Sequence, residues 1–320
     1  MTEVEDQAQE EIEAVFGLPR PQKAKKNRAV VRRLVASSSD IFTNPPEQIA
    51  FQHTVLCQTA LPYKNPGDDV REWEREQGNV ALSIEAGKAK DPHKSGFVKL
   101  GLPWGEKARL VLIHLNTEAV RTESPVIEVE DSLTAFVSSI GLATHGRNIR
   151  MVKEQLARLS ASRITLGMVE DGKSITVNTQ IINAFDLWTP TNANQCVLWP
   201  STVQLSQEYF ESLARHAVPL DHRAVAALGH SALALDVYAW LAQRLHRVSA
   251  KSPHYVGWIA LKEQFGPGYG RMDNFRRDFR NVLDMVLTQY RDARIEMDEN
   301  GFFLYNSPPP VVKKFFIKGV

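Results

Sequence analysis

Between Val126 and Ile182 the sequence passes through a succession of patterns that few folds can accommodate. Val126-Ile127-Glu128-Val129 reads as a short strand, and Asp131 can cap a helix running from Ser132 to Ile140. Gly141 closes that helix, and Thr144-His145-Gly146 turns the chain. A second helix is predicted from Arg147 to Ser160, because Ile149, Val152, Leu156 and Leu159 recur at helical spacing. Two β-branched stretches follow, Arg163 to Val169 and Ser174 to Ile182, joined across Glu170-Asp171-Gly172-Lys173, a strong hairpin signal. An apolar helix predicted from Gly105 to Thr122 precedes them all. Helix, strand, helix, turn, helix, hairpin is the order of a winged-helix domain.

The order repeats. Leu233 to His246 reads as a helix, Tyr255 to Trp258 as an extended piece and Ile259 to Phe265 as a short helix. After the turn Gly266-Pro267-Gly268-Tyr269-Gly270 come a long helix, Met272 to Tyr290, and a β-pair, Ala293 to Met297 and Phe302 to Tyr305. VALSIEA from Val80 and GFVKLGL from Gly96 add two strands around a polar loop. At 320 residues the chain is long enough for about two domains. The expected class is therefore α+β, with tandem winged-helix domains at 51–203 and 204–320. A flexible charged arm, residues 1–50, precedes them, and a basic tail ends the second.

The formal charge of +1 conceals a segregation. Residues 1–19 carry six acids and no base, whereas residues 20–33 carry seven bases and no acid, the pattern of an interaction arm. Short helices are expected within it near Val4 to Phe16 and Asn27 to Ala36, ended by Ser37-Ser38-Ser39-Asp40 and Pro45-Pro46. No apolar run approaches the roughly 18 residues a bilayer requires. The acidic start is unlike a signal peptide, and Cys57 and Cys196 form no metal or redox motif. A cytoplasmic protein without membrane contact is expected.

A recognition helix needs one face in the core and one bearing donors for phosphates and base edges. On the 147–160 helix, Arg147, Arg150 and Arg158 fall opposite the apolar side and Lys153 flanks them; with Arg163, residues 145–163 hold five bases and one acid. On the 272–290 helix, Arg276, Arg277 and Arg280 lie away from Phe275, Phe279 and Val286, and Arg271 stands at its start. There the spacings Asp273–Arg277 and Arg280–Asp284 also suit surface ion pairs. Lys173 and Arg294, on the hairpins, are assigned to phosphate or the minor groove.

No catalytic, cofactor or metal site is expected. Gly167 to Ser174 matches GxxxxGKS, but strand residues follow Lys173 where a phosphate loop needs a helix, so the match reads as a hairpin tip. GPGYG lacks a preceding buried strand, and the nine histidines show no zinc-binding spacing.

Three blocks carry a resemblance: residues 101–142 (GLPWGEKARLVLIHLNTEAVRTESPVIEVEDSLTAFVSSIGL), 217–247 (AVPLDHRAVAALGHSALALDVYAWLAQRLHR) and 265–287 (FGPGYGRMDNFRRDFRNVLDMVL). Together they resemble the plasmid-encoded RepA family of replication initiator proteins. The resemblance implies tandem winged helices that bind repeated duplex sequences of a plasmid origin and recruit host initiator and helicase proteins. It also implies a switch between a dimer and a monomer. A winged-helix transcriptional regulator without initiator activity shares the same DNA-binding physics and is the alternative. Because the globular part is not strongly basic, origin binding requires focused basic faces or a contribution from residues 20–33.

Overall fold

The computed structural model describes residues 24–90, 95–129, 132–170, 172–184 and 202–311. The acidic start of the arm, Asp131, Asp171 and the basic tail lie outside the described residues. The first stretch comprises α1 (Ala24–Thr43), β1 (Ile49–His53), α2 (Thr54–Gln58), β2 (Glu72–Gln77), β3 (Val80–Glu85), β4 (Lys88–Lys90) and β5 (Phe97–Lys99). Next come α3 (Gly105–Thr122), β6 (Val126–Glu128), α4 (Leu133–Ser139), α5 (Gly146–Ala161), β7 (Arg163–Glu170), β8 (Lys173–Thr179) and β9 (Ile182–Ala184). The chain continues through β10 (Thr202–Leu205), α6 (Gln207–His216), β11 (Ala217–Asp221), α7 (His222–Leu228) and α8 (Ala232–Arg244). It then forms β12 (His254–Gly257), α9 (Trp258–Phe265), α10 (Met272–Gln289), β13 (Ile295–Met297) and β14 (Gly301–Leu304). Helix and strand are mixed, as expected of an α+β protein.

The two hairpins build different sheets. β13 and β14 join β12 in the order β12-β14-β13, a local arrangement with Tyr255 opposite Phe303 and Phe303 opposite Glu296. β7 and β8 instead extend the pair β2–β3 into a four-stranded sheet, β2-β3-β7-β8. β6 pairs with β10, which in turn pairs with β9. The β2–β3 turn therefore lies beside the β7–β8 tip, where Asn79 Nδ2 donates to the Val169 carbonyl at 2.8 Å. β2 is an edge strand whose outward row is Glu72, Glu74 and Glu76, and charge of this kind blunts an open edge.

One apolar cluster runs through the whole described fold, from Leu34 to Leu304. Polar clamps cross it. The Arg109 guanidinium on α3 grips Asp236 on α8 through two bonds of 2.7 Å, and it also donates to the Leu61 carbonyl at 2.8 Å. Strand β1 pairs antiparallel with the distant β11, Ile49 opposite Asp221 and His53 opposite Ala217. Around β1, Asn116 donates to Gln52 at 2.7 Å and accepts from the Tyr209 hydroxyl at 2.9 Å. His53 Nδ1 accepts from the Val55 amide at 3.2 Å, so its Nε2–H faces Ser212 Oγ at 3.0 Å. Burial, with His216 nearby, pushes the His53 pKa down to about 3.

Two sequence expectations are corrected. Residues 24–43 form a single helix packed on α7 and α10 where a flexible arm with a break at Ser37–Asp40 was expected. Tertiary contacts override the weak helix propensity of the serines. Leu34 is buried, Gln289 Nε2 donates to the Leu34 carbonyl, and Ser37 Oγ donates to the Arg223 carbonyl. Arg223 in turn donates to Asp40 at 2.9 Å. The cap of α4 is Ser132, whose side chain accepts from the Ala135 amide at 3.1 Å.

Candidate nucleic-acid interface

α5 is amphipathic because Val152, Gln155, Leu156 and Leu159 face the core. His145 starts it by accepting from the Asn148 amide at 3.3 Å. Arg147 and Arg150 are exposed, Lys153 is half-buried, and the three form a stripe at intervals of three residues. None of the three has an ion-pair partner among the described residues. The first turn of α5 holds no acid, so Arg147 adds positive charge where the helix dipole is already positive. That arrangement costs stability in the free protein and favours an anion across the helix start.

Arg158 departs from the expectation. It does lie on the side of the helix away from the core, but its side chain is only 9% exposed, because Asp68, Gly101 and Leu102 cover that end of α5. It donates to the Leu102 carbonyl at 3.0 Å and pairs with Glu154 at 2.9 Å and Asp68 at 3.4 Å. A Cβ on Gly101 would collide with its guanidinium, so glycine at that position is part of the cover. Arg158 is a structural residue. Arg163, at the start of β7, is exposed and donates to Asn178 Oδ1 at 2.9 Å. Lys173 is exposed at the hairpin tip, beside Gly172, whose φ of +73° forms the turn. The GxxxxGKS letters thus lie along a β-hairpin, as the sequence suggested, and no helix follows them.

On α10 the bases are already engaged. Arg271 pairs with Asp273 at 3.4 Å and Arg277 with Asp278 at 2.9 Å, both at the surface. Arg276 and Arg280 are half-buried and lie 5.5 and 5.2 Å from the centre of the Trp258 ring, a cation–π stack. Arg294 is exposed immediately before β13, two positions ahead of Glu296 in the chain. The structure thus gathers Arg147, Arg150 and Lys153 into one open stripe. It leaves the second set paired or stacked.

Sequence reasoning missed the Trp258 stack, which has no local signature. It also missed the β2–β3 turn beside the hairpin tip, although Gly78-Asn79 between two strand-like runs is a hairpin signal. Among the described residues no group of His, Cys, Asp or Glu could hold a metal ion, and no helix is long and apolar enough to cross a membrane.

This is the arrangement of a protein that presents basic helices on an α+β scaffold. Residues 102–259 match the family described as plasmid encoded RepA protein. A crystal structure of selenomethionine derivatives of domains 2 and 3 of RctB is similar at 10% identity, with a TM-score of 0.50 over 79% of this chain and 98% of that one. At that identity the likeness is one of fold. A second crystal structure, of RctB domains 2–3, aligns at 9% identity with a TM-score of 0.48 over 79% of this chain and 96% of that one. No curated protein sequence matches the chain.

Proposed function

We propose that this chain is a plasmid replication initiator that binds repeated duplex sequences of its origin through two winged-helix units. In the first unit α4, α5 and the β7–β8 hairpin are the helix-turn-helix and wing; in the second, α9, α10 and the β13–β14 hairpin. The single observation that carries the reading is the open stripe Arg147, Arg150 and Lys153, displayed along one side of α5 without an acidic partner among the described residues. The match of residues 102–259 to the plasmid encoded RepA family supports the initiator role over that of a simple regulator.

In this reading α5 enters the major groove, with Arg147 and Arg150 on base edges or flanking phosphates and Lys153 on the backbone. Arg163 and Lys173 follow the backbone along the wing. The acids Glu72, Glu74 and Glu76 repel phosphate from the far edge of the same sheet and so orient the duplex towards α5. On α10, Arg271 and Arg277 exchange carboxylate partners for phosphates, while Arg276 and Arg280 contribute from their places over Trp258. The protein acts by binding, without catalysis, a cofactor or a metal of its own. It works in the cytoplasm, where host initiator and helicase proteins supply the energy for melting and a homodimer is the alternative assembly.

The test is titration of the purified chain against the DNA upstream of its own gene, with excess unrelated duplex as competitor. Retained, laddered complexes are expected. Complexes that the competitor abolishes would contradict sequence-specific recognition.

A further inference from the structure

The hairpin of the second unit carries an aromatic and acidic face, and none of its residues is among the DNA contacts proposed above. On the outward face of the β12-β14-β13 sheet, Tyr255 lies opposite Phe303, with ring centres 4.9 Å apart, and Tyr305 follows two residues along the same strand direction. Tyr255 is 41% exposed, unusual for a large aromatic side chain, and Phe303 and Tyr305 are half-buried. Two carboxylates fence the rings. The Tyr305 hydroxyl donates to Glu296 Oε2 at 2.6 Å, and the Tyr255 hydroxyl to Asp298 Oδ1 at 3.4 Å. Asp298 Oδ1 also accepts from the amides of Asn300 and Gly301, which fixes the carboxylate at the turn. Each carboxylate keeps its second oxygen without a partner among the described residues. Among the described residues β13 pairs with β14 alone, which leaves its outer edge for a further strand.

We propose that this face docks an extended, arginine- or lysine-bearing segment of a protein partner, its cationic side chains held between the aromatic rings and the carboxylates of Glu296 and Asp298. The chemistry selects the partner. Ring faces and carboxylates both attract a guanidinium or ammonium group, and an extended segment adding to β13 presents alternate side chains to one face. The same carboxylates, with Glu299 in the turn, repel a phosphate backbone. Aromatic stacking on nucleic-acid bases is therefore disfavoured here, although exposed rings alone would suit it.

The probe is a fluorescein-labelled (Arg-Thr)4 peptide, followed by anisotropy against the full chain, with (Gln-Thr)4 and an oligothymidylate as the other arms. Glu296→Gln with Asp298→Asn keeps the turn hydrogen bonds and removes the charge. Tyr255→Leu with Phe303→Leu keeps apolar bulk and removes the ring faces. Each pair is expected to weaken (Arg-Thr)4 binding roughly tenfold, while duplex binding through Arg147 and Arg150 stays unchanged. Equal peptide affinity in wild type and the carboxylate pair, which lies on an exposed hairpin and leaves the core intact, would overturn the proposal. So would oligothymidylate binding that the leucine pair abolishes while peptide binding persists. Either result leaves the origin-binding reading standing, because that reading is measured on duplex DNA.

Discussion

The segments around α5 and α10 read alike in sequence and differ in what their bases do. α5 and α10 each bear bases on the side away from their apolar stripe. On α5 the N-terminal three are open, and Arg158 is drawn inside by a covering segment. On α10 two bases meet acids and two lie against Trp258. The hairpins diverge in the same sense, with Lys173 on the first and Glu296 and Asp298 on the second. The number of arginines on a helix therefore says less about DNA binding than whether each one already has a partner. In the proposed reading the first unit meets phosphate, and the second divides its surface between DNA and a protein segment.

The comparison is sharpest where the two units are joined. Asp236→Ala should be the most damaging single change, because it strands the Arg109 guanidinium in the core. Breaking a buried pair from one side costs about 3–5 kcal/mol. Denaturant unfolding should show one cooperative transition moved to lower denaturant. Two transitions, one of them unshifted, would mean that the units are independent and the clamp is local. A smaller effect is expected from pH. His53, the last residue of β1, has its pKa pushed by burial down to about 3 from an ordinary value of 6.5. Below 6.5 the unfolded chain binds a proton that the native state refuses, so stability falls with falling pH and levels off near 3. The slope is roughly 1 kcal/mol per pH unit. His53→Gln should flatten it in unfolding curves taken between pH 7.5 and 5, and an unchanged slope would assign the dependence to other groups. The mildest change compares the wings. Lys173→Ala should lower the salt dependence of duplex binding by about one unit of slope, whereas Arg294→Ala, beside the acids of its hairpin, should leave it nearly unchanged. Equal effects would erase the distinction between the two hairpins.

Much of the scaffold was legible in the sequence. The helix at Gly105–Thr122 has the expected ends, and α5, α10 and both hairpins fall within a few residues of their predicted spans. Periodicity and turn residues act locally, and these elements are local. What escaped was long-range or edge structure. β1 and β11 are held together by each other and by α3, and β2 is an edge strand of alternating charge without an apolar run. Site residues divide along the same line. Helical spacing correctly turned Arg147 and Arg150 outward, but it could not reveal that Leu102 and Asp68, more than fifty positions earlier in the chain, cover Arg158. Nor could it reveal that Trp258 underlies Arg276 and Arg280.

The most direct measurement sets two double variants side by side on the same origin duplex, Arg147→Ala with Arg150→Ala and Arg271→Ala with Arg277→Ala. Loss of a specific arginine contact costs about 1–3 kcal/mol. The first pair, which removes two such contacts, should therefore lose on the order of 2–6 kcal/mol, roughly thirtyfold to ten-thousandfold in affinity. The second, whose bases must first leave Asp273 and Asp278, should lose roughly tenfold or less. Equal losses, or a larger loss in the second pair, would contradict the assignment of the primary DNA-binding face to α5.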